Sequence, residues 1–122
     1  MNMILHIAKR ERWKGARLDG VYRGDTLDSQ GFMHCSTPKQ VVKVANALFH
    51  GQEGLILLCI DADRVESEIR YEGTGGEKYP HIYGPLNVDA VVKALDFRPR
   101  KDGRFTLPKA IFGVEERALE KK

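Results

Sequence analysis

Two stretches of the chain are almost continuously apolar, "MILHIA" (Met3 to Ala8) and "LILLCI" (Leu55 to Ile60). Unbroken runs of this length are the pattern of strands covered on both faces. The one polar member of the first run is His6. Three further segments, "FMHCS" (Phe32 to Ser36), "SEIRYEG" (Ser67 to Gly73) and "HIYGPL" (His81 to Leu86), read as strands whose side chains alternate. Alternation places Phe32, His34 and Ser36 on one face and Met33 and Cys35 on the other. It likewise sets Arg70 and Glu72 opposite Tyr71, and His81 on the same side as Tyr83.

Helical spacing occurs in two places. Trp13, Ala16 and Arg17 recur within "RERWKGARLDG", which ends at Gly20, a helix stop. After "FMHCS", Thr37 suits an N-cap, Pro38 the first helical position, and Gln40 completes a T-x-x-Q capping box. Val41, Val44, Ala45, Leu48 and Phe49 then form an apolar face that stops at Gly51. "VYRGDTLDSQG" and "GTGGEKYP" are loop sequences, and the glycines of the second do not make a phosphate-binding G-x-G-x-x-G. "VDAVVKALDF" fits either period; its valines and the following "RKDGRF" turn favour a strand. From Pro108 onward a terminal helix or a frayed tail is expected. Strands with two helices in the N-terminal half give an α+β fold, expected as a single domain over 1–122.

Composition narrows the classes. A length of 122 residues with 42% hydrophobic content suffices for one core. The net charge of +3, from 20 basic and 17 acidic residues, is spread along the chain, which permits an anionic ligand without indicating nucleic acid. "KRERWK" (Lys9 to Lys14) is locally basic and reads as the solvated side of a helix. No apolar run reaches the roughly 18–20 residues of a membrane helix, and the N-terminus lacks the pattern of a secretory signal. A soluble, cytoplasmic protein is expected. Cys35 and Cys59 lie inside apolar segments without C-x-x-C spacing, as buried reduced thiols do.

The chemistry centres on histidine. His6, His34 and His81 fall in strands and His50 at a helix end. Each alone fits a hydrogen-bonded core or edge residue, but three on neighbouring strands would assemble a site. A three-histidine zinc centre is one use of them, although H-x-x-x-H or H-x-H spacing is absent. An anionic ligand is the other: "HCSTP" places His34 and Ser36 beside the first amides of a helix, where phosphate is favoured. Cys35 as a nucleophile would have to share the histidine face, and alternation puts it opposite.

"ILHIAKRERWKGARLDGVYRG", "GFMHCSTPKQVVKVANALFHG", "IRYEG" and "YPHIYGPLNVDAVV", in that order, closely resemble the DUF952 family of small bacterial proteins over about residues 3–97. That family is grouped by fold with ADP-ribosyltransferases. The resemblance implies a split, curved, mostly antiparallel β-sheet core that binds NAD in a cleft between its halves. On that comparison His6 matches the first-strand histidine that contacts NAD, and His34 and Ser36 match a histidine strand ending in a small hydroxyl residue. Tyr22, Tyr71 and Tyr83 are then candidates to stack on nicotinamide. Where the resemblance implies a catalytic glutamate this chain carries His81 and Tyr83, and Glu72 is the acid on a neighbouring strand. The implied roles are Glu72 as stabiliser of an oxocarbenium ion and His34 or His81 as general base, in an ADP-ribosyltransferase or NAD glycohydrolase that takes NAD as its nucleotide and water, RNA or protein as acceptor. A non-catalytic module that recognises a nucleotide or another phosphorylated ligand is the alternative; no metal is implied.

Overall fold

The computed structural model describes residues 2–114. Its centre is strand β4 (Leu55–Asp61), paired antiparallel on one side with β1 (Met3–Lys9) and on the other with β8 (Val91–Phe97). β1 and β4 are buried on both faces, which is why they read as unbroken apolar runs, whereas β8 is exposed over most of its length. One face packs Ile4, Ala8, Leu58 and Ile60 against Trp13, Met33 and Ile82. The other packs Leu5, Leu57 and Phe97 against Val41, Ala45, Phe105 and Ile111. "VDAVVKALDF" resolves into a 3-10 turn and the strand β8.

A second antiparallel sheet is formed by β3 (Met33–His34), β6 (Tyr79–Tyr83) and β5 (Glu68–Glu72), with β6 in the middle. A short pair, β2 (Val21–Tyr22) with β7 (Leu86–Asn87), completes the strands. The expected strand from His81 to Leu86 is therefore two strands. It breaks at Gly84, where φ is 151° and a side chain would strike Ser67.

The two larger sheets meet at one point. β1 is bonded to β4 along its whole length, but its other edge is bonded only at Leu5, which exchanges both backbone hydrogen bonds with Ser36 at 2.7 and 2.8 Å. From Ser36 the chain diverges toward β3 and β6, so the combined sheet is split beyond that bridge.

Three corrections concern helices. The segment expected as a loop from Val21 to Gly31 contains β2 and a one-turn helix, α2 (Leu27–Gln30), so the N-terminal half holds three helices rather than two. α1 (Arg10–Asp19) stops at Gly20 in the left-handed conformation, as expected. α3 (Val41–Leu48) begins later than Pro38, after a turn. The Gln40 amide closes that turn on the Thr37 carbonyl at 3.0 Å; the Gln40 side chain accepts from the Thr37 amide through Oε1 at 3.0 Å, the reciprocal half of a capping box, and donates through Nε2 to the Lys78 carbonyl at 2.7 Å. The side chain is shared with the β5–β6 hairpin, and Gln40, the N-cap residue of α3, makes no side-chain cap to the helix. The amides of Thr37, Gln40 and Val41 are all engaged within this turn, so these three are not free for the phosphate expected at this helix N-terminus. Residues 110–114 are helical, and the rest of the expected terminal helix or tail lies outside the described residues.

The hairpin tip provides a test of how tightly this arrangement is held. A Cβ on Gly73 would stand 2.2 Å from the Glu77 carbonyl oxygen, a contact that backbone cannot relieve cheaply. Gly73→Ala is expected to lower stability by about 1–3 kcal/mol, the range for overpacked positions, in a urea titration. An unchanged midpoint would show that the tip is not held closed.

Candidate functional site

The split in the sheet opens into a cleft of roughly 690 Å³. One wall is the free edge of β1, with His6, Ile7 and Lys9; another is α3, with Lys43, Val44 and Leu48; the third carries His34, Tyr79 and His81. Val44 and Leu48 belong to the apolar face expected to pack in the core, yet Leu48 is 73% exposed. α3 seats Val41 and Ala45 on the sheet and turns the flank of its stripe to the cleft.

His6 stands where β1 passes the seam, and it is 8% exposed. Its Nδ1 lies 2.6 Å from the His34 carbonyl oxygen and its Nε2 3.1 Å from the Tyr22 hydroxyl. A carbonyl only accepts, so Nδ1 carries the proton and donates, and the Tyr22 hydroxyl donates to Nε2. Burial holds the imidazole below its ordinary pKa, against the smaller opposing influence of the hydrogen bond to His34. Burial also pushes the Tyr22 phenol far up, with Asp25 adding to the shift. Both ring nitrogens of His6 are occupied, so it has none to give a metal in this arrangement. Among the described residues no group of three or more His, Cys, Asp or Glu could hold a metal ion.

Tyr22→Phe isolates this bond. It leaves Nε2 of a buried imidazole without its donor, at about 1–3 kcal/mol of stability. A thermal or urea unfolding curve matching the parent would show that Nε2 finds another partner.

The open face of the second sheet brings the remaining candidates together. His34 and His81 are directly paired across β3 and β6, their ring centroids 5.2 Å apart. Phe32 lies against both, stacked on His81 at 4.4 Å and 4.8 Å from His34. Nε2 of His34 donates to the Gln30 side-chain oxygen at 2.9 Å. Burial, and then the neighbouring His81, hold His34 below its ordinary pKa. Nδ1 of His81 donates to Oε1 of Glu72 at 3.0 Å, and the Tyr83 hydroxyl donates to the same oxygen at 2.6 Å. These two bonds, Tyr83 first, keep the Glu72 carboxyl below the usual carboxylate range, and the bond to Glu72 raises the Tyr83 phenol. Arg70 covers the Tyr83 ring at 4.3 Å.

Of the residues read from sequence, His6, Tyr22, His34, Ser36 and His81 line the cleft. Glu72 and Tyr83 stand behind His81. Tyr71 is on the opposite face of β5, 45% exposed, its hydroxyl accepting from Asn2 at 3.3 Å. Cys35 is buried in the core cluster, and burial pushes its thiol far up; Cys59 is pushed up to about 12 by the same cause. Neither is a thiolate at neutral pH. Sequence reasoning missed Asp25 and Lys43. Asp25 lines the cleft between Arg12 at 2.7 Å and Lys9 at 3.7 Å. Lys43 lines it from α3 and is paired with Glu77 of the hairpin tip. Both were hidden among ordinary surface charges.

No helix among the described residues is long and apolar enough to cross a membrane. The chain is similar to protein CC0527 from Caulobacter crescentus, at 31% identity. Its X-ray structure superposes with a TM-score of 0.79, covering 86% of this chain and 94% of that one. The solution NMR structure of CC0527 gives a TM-score of 0.74, with 93% and 97% covered. No curated protein matches the chain. The family model described as "Protein of unknown function (DUF952)" matches residues 7–94, most of the sequence, and the chain belongs to the DUF952 family.

Proposed function

We propose that this protein binds NAD or ADP-ribose in the seam cleft, as an ADP-ribosyltransferase-like fold would, and cleaves the nicotinamide–ribose bond of NAD. The observation that carries the reading is the cleft itself: it opens where two antiparallel three-stranded sheets diverge, and two paired imidazoles border it. Its apolar wall of Ile7, Val44 and Leu48 suits an uncharged ring, and its polar rim suits ribose hydroxyls and phosphate. Departure of nicotinamide builds positive charge at the anomeric carbon, and the attacking oxygen must lose a proton. His34 or His81 would take that proton. Water is the simplest acceptor, with an RNA end or a protein side chain as the others.

The non-catalytic alternative draws support from one feature. Glu72 does not line the cleft, and the carboxylate that does, Asp25, is already paired with Arg12 and Lys9.

Calorimetry with NAD and with ADP-ribose, alongside chromatography of free nicotinamide, decides between these. Binding should weaken about tenfold or more in His34→Ala, the loss of a hydrogen bond to a charged or strongly polar ligand group. Binding without nicotinamide release would establish the recognition module. No binding of either nucleotide at millimolar concentration would exclude both nucleotide readings.

A further inference from the structure

We infer that His81 is the proton-accepting group of the cleft, with Nε2 as the basic atom, and that Glu72 and Tyr83 are positioning residues that fix its tautomer and ring orientation. This inference rests on the reading of the seam cleft as the reactive site, and it assigns the roles left open there. Three observations converge on it.

The first is the direction of the hydrogen bonds. A carboxylate only accepts, so the 3.0 Å contact with Glu72 puts the His81 proton on Nδ1 and leaves the lone pair on Nε2. Among the described residues Nε2 has no hydrogen-bond partner. His34 has the opposite pattern: its Nε2 donates to Gln30, an exposed neutral amide that can turn, so its tautomer is weakly held.

The second is packing. Phe32 stacks on the His81 ring at 4.4 Å with planes 24° apart, and the His81 side chain is 13% exposed. The ring is clamped by a flat apolar surface and a carboxylate, whereas His34 is exposed. A base held in one orientation loses no time or entropy finding it.

The third is the relay behind it. Glu72 receives both the Tyr83 hydroxyl and the His81 ring on Oε1, so the carboxylate itself is oriented and its charge is partly engaged. When His81 takes a proton, the imidazolium forms beside that carboxylate and is stabilised there, the logic of a carboxylate–imidazole pair in any general-base site. The carboxylate, on the neighbouring strand β5, acts through the imidazole.

The step balances without a co-reactant beyond water. The C–N bond between ribose and nicotinamide breaks with its electron pair leaving on nicotinamide. The water oxygen bonds to the anomeric carbon, one water proton passes to His81 Nε2 and later to solvent, and the products are ADP-ribose, nicotinamide and a proton.

The test does not need NAD. Nitrogen-15 spectra of the imidazoles in the full chain should show the neutral form of His81 as the Nδ1–H tautomer. In Glu72→Ala the two tautomers should mix, while Glu72→Gln, whose amide oxygen still accepts, should restore the single form. Diethyl pyrocarbonate, an electrophile that reports an available imidazole lone pair, should modify His81 at neutral pH. The His81 rate should change on losing Glu72 and be recovered by Gln. The groups facing His81 in such a pH series are Glu72 and Arg70 on β5, Tyr83 and Tyr79 on β6, and His34 on β3. An Nε2–H tautomer in the parent protein, or a His81 indifferent to Glu72→Ala, would overturn the assignment. The expected tautomer in a protein that fails to bind NAD would instead retain His81 as the base and discard the nucleotide reading. If NAD is cleaved, His81→Ala should reduce nicotinamide release by about 10²-fold or more with the substrate affinity largely kept. Release at the parental rate from His81→Ala would also overturn the assignment.

Discussion

His6→Ala is expected to lose about 2–6 kcal/mol of stability, whereas His34→Ala loses less than about 1 kcal/mol. The difference follows from what each ring satisfies. Removing His6 leaves a buried tyrosine hydroxyl without its acceptor and the His34 carbonyl without its donor, at about 1–3 kcal/mol for each stranded group. A small domain has roughly 5–15 kcal/mol in total, so this loss is a large fraction of it. The geometric reason is that His6 sits beside the Leu5–Ser36 bridge, the point where the two large sheets are joined, and ties β1 to both β2 and β3. The His34 ring, by contrast, bonds an exposed amide on a neighbouring turn. Urea unfolding of both variants checks this. Equal midpoints would mean that His6 is replaceable by water or by local closure, and that it faces the ligand more than the core.

This contrast also separates what the chain discloses from what it does not. β1 and β4 were legible because a strand covered on both faces has no choice but a continuous apolar run. The helical stripe of α3 was legible too, but periodicity says only that a face is apolar. Whether Val44 and Leu48 meet a sheet or an open cleft depends on where the second sheet diverges, and that is decided by the single bridge at Leu5 and Ser36. The capping box at Thr37 and Gln40 was a sound local signal of which half forms: Gln40 Oε1 accepts from the Thr37 amide, while the Gln40 amide turns to the Thr37 carbonyl rather than to its hydroxyl. β2 and α2, at two and four residues, are too short for any period to register. The strand alternation that placed His34 with Phe32, and Glu72 away from Tyr71, gives the face of the site directly. The pairing of His34 with His81, and of Glu72 with His81 rather than with the cleft, is a matter of register between distant strands, which no local pattern carries.

Acid should destabilise the protein in two separate windows, the first set by histidine. Burial holds His6 and, more weakly, His34 below the ordinary histidine value near 6.5. Between that value and the lower folded one, the unfolded chain takes up protons that the folded chain refuses. Stability is therefore full above about pH 6.5 and declines as pH falls below it, by about 1.4 kcal/mol per pH unit for one such proton. His6 dominates, because it is enclosed; His34 is exposed, and solvent screens its share. The groups that bear on His6 are Asp25, which raises its value, and His34, which lowers it, both less than burial does. The second window lies lower. Glu68, Glu72 and Glu77 are held below the usual carboxylate range by hydrogen bonds from Arg70, from Tyr83 and His81, and from Lys43. Their contribution is present above the unfolded carboxylate values and is lost as pH falls through the folded ones. Urea midpoints measured from pH 7.5 to 5 should fall steadily below 6.5 in the parent protein, and much less steeply in His6→Gln, which has no imidazole to protonate. A parent midpoint that is flat or rises as the pH passes through 6 would show that the folded chain protonates His6 at least as readily as the unfolded chain does, so that in acid Nε2 donates to the Tyr22 hydroxyl and the direction of that hydrogen bond is reversed.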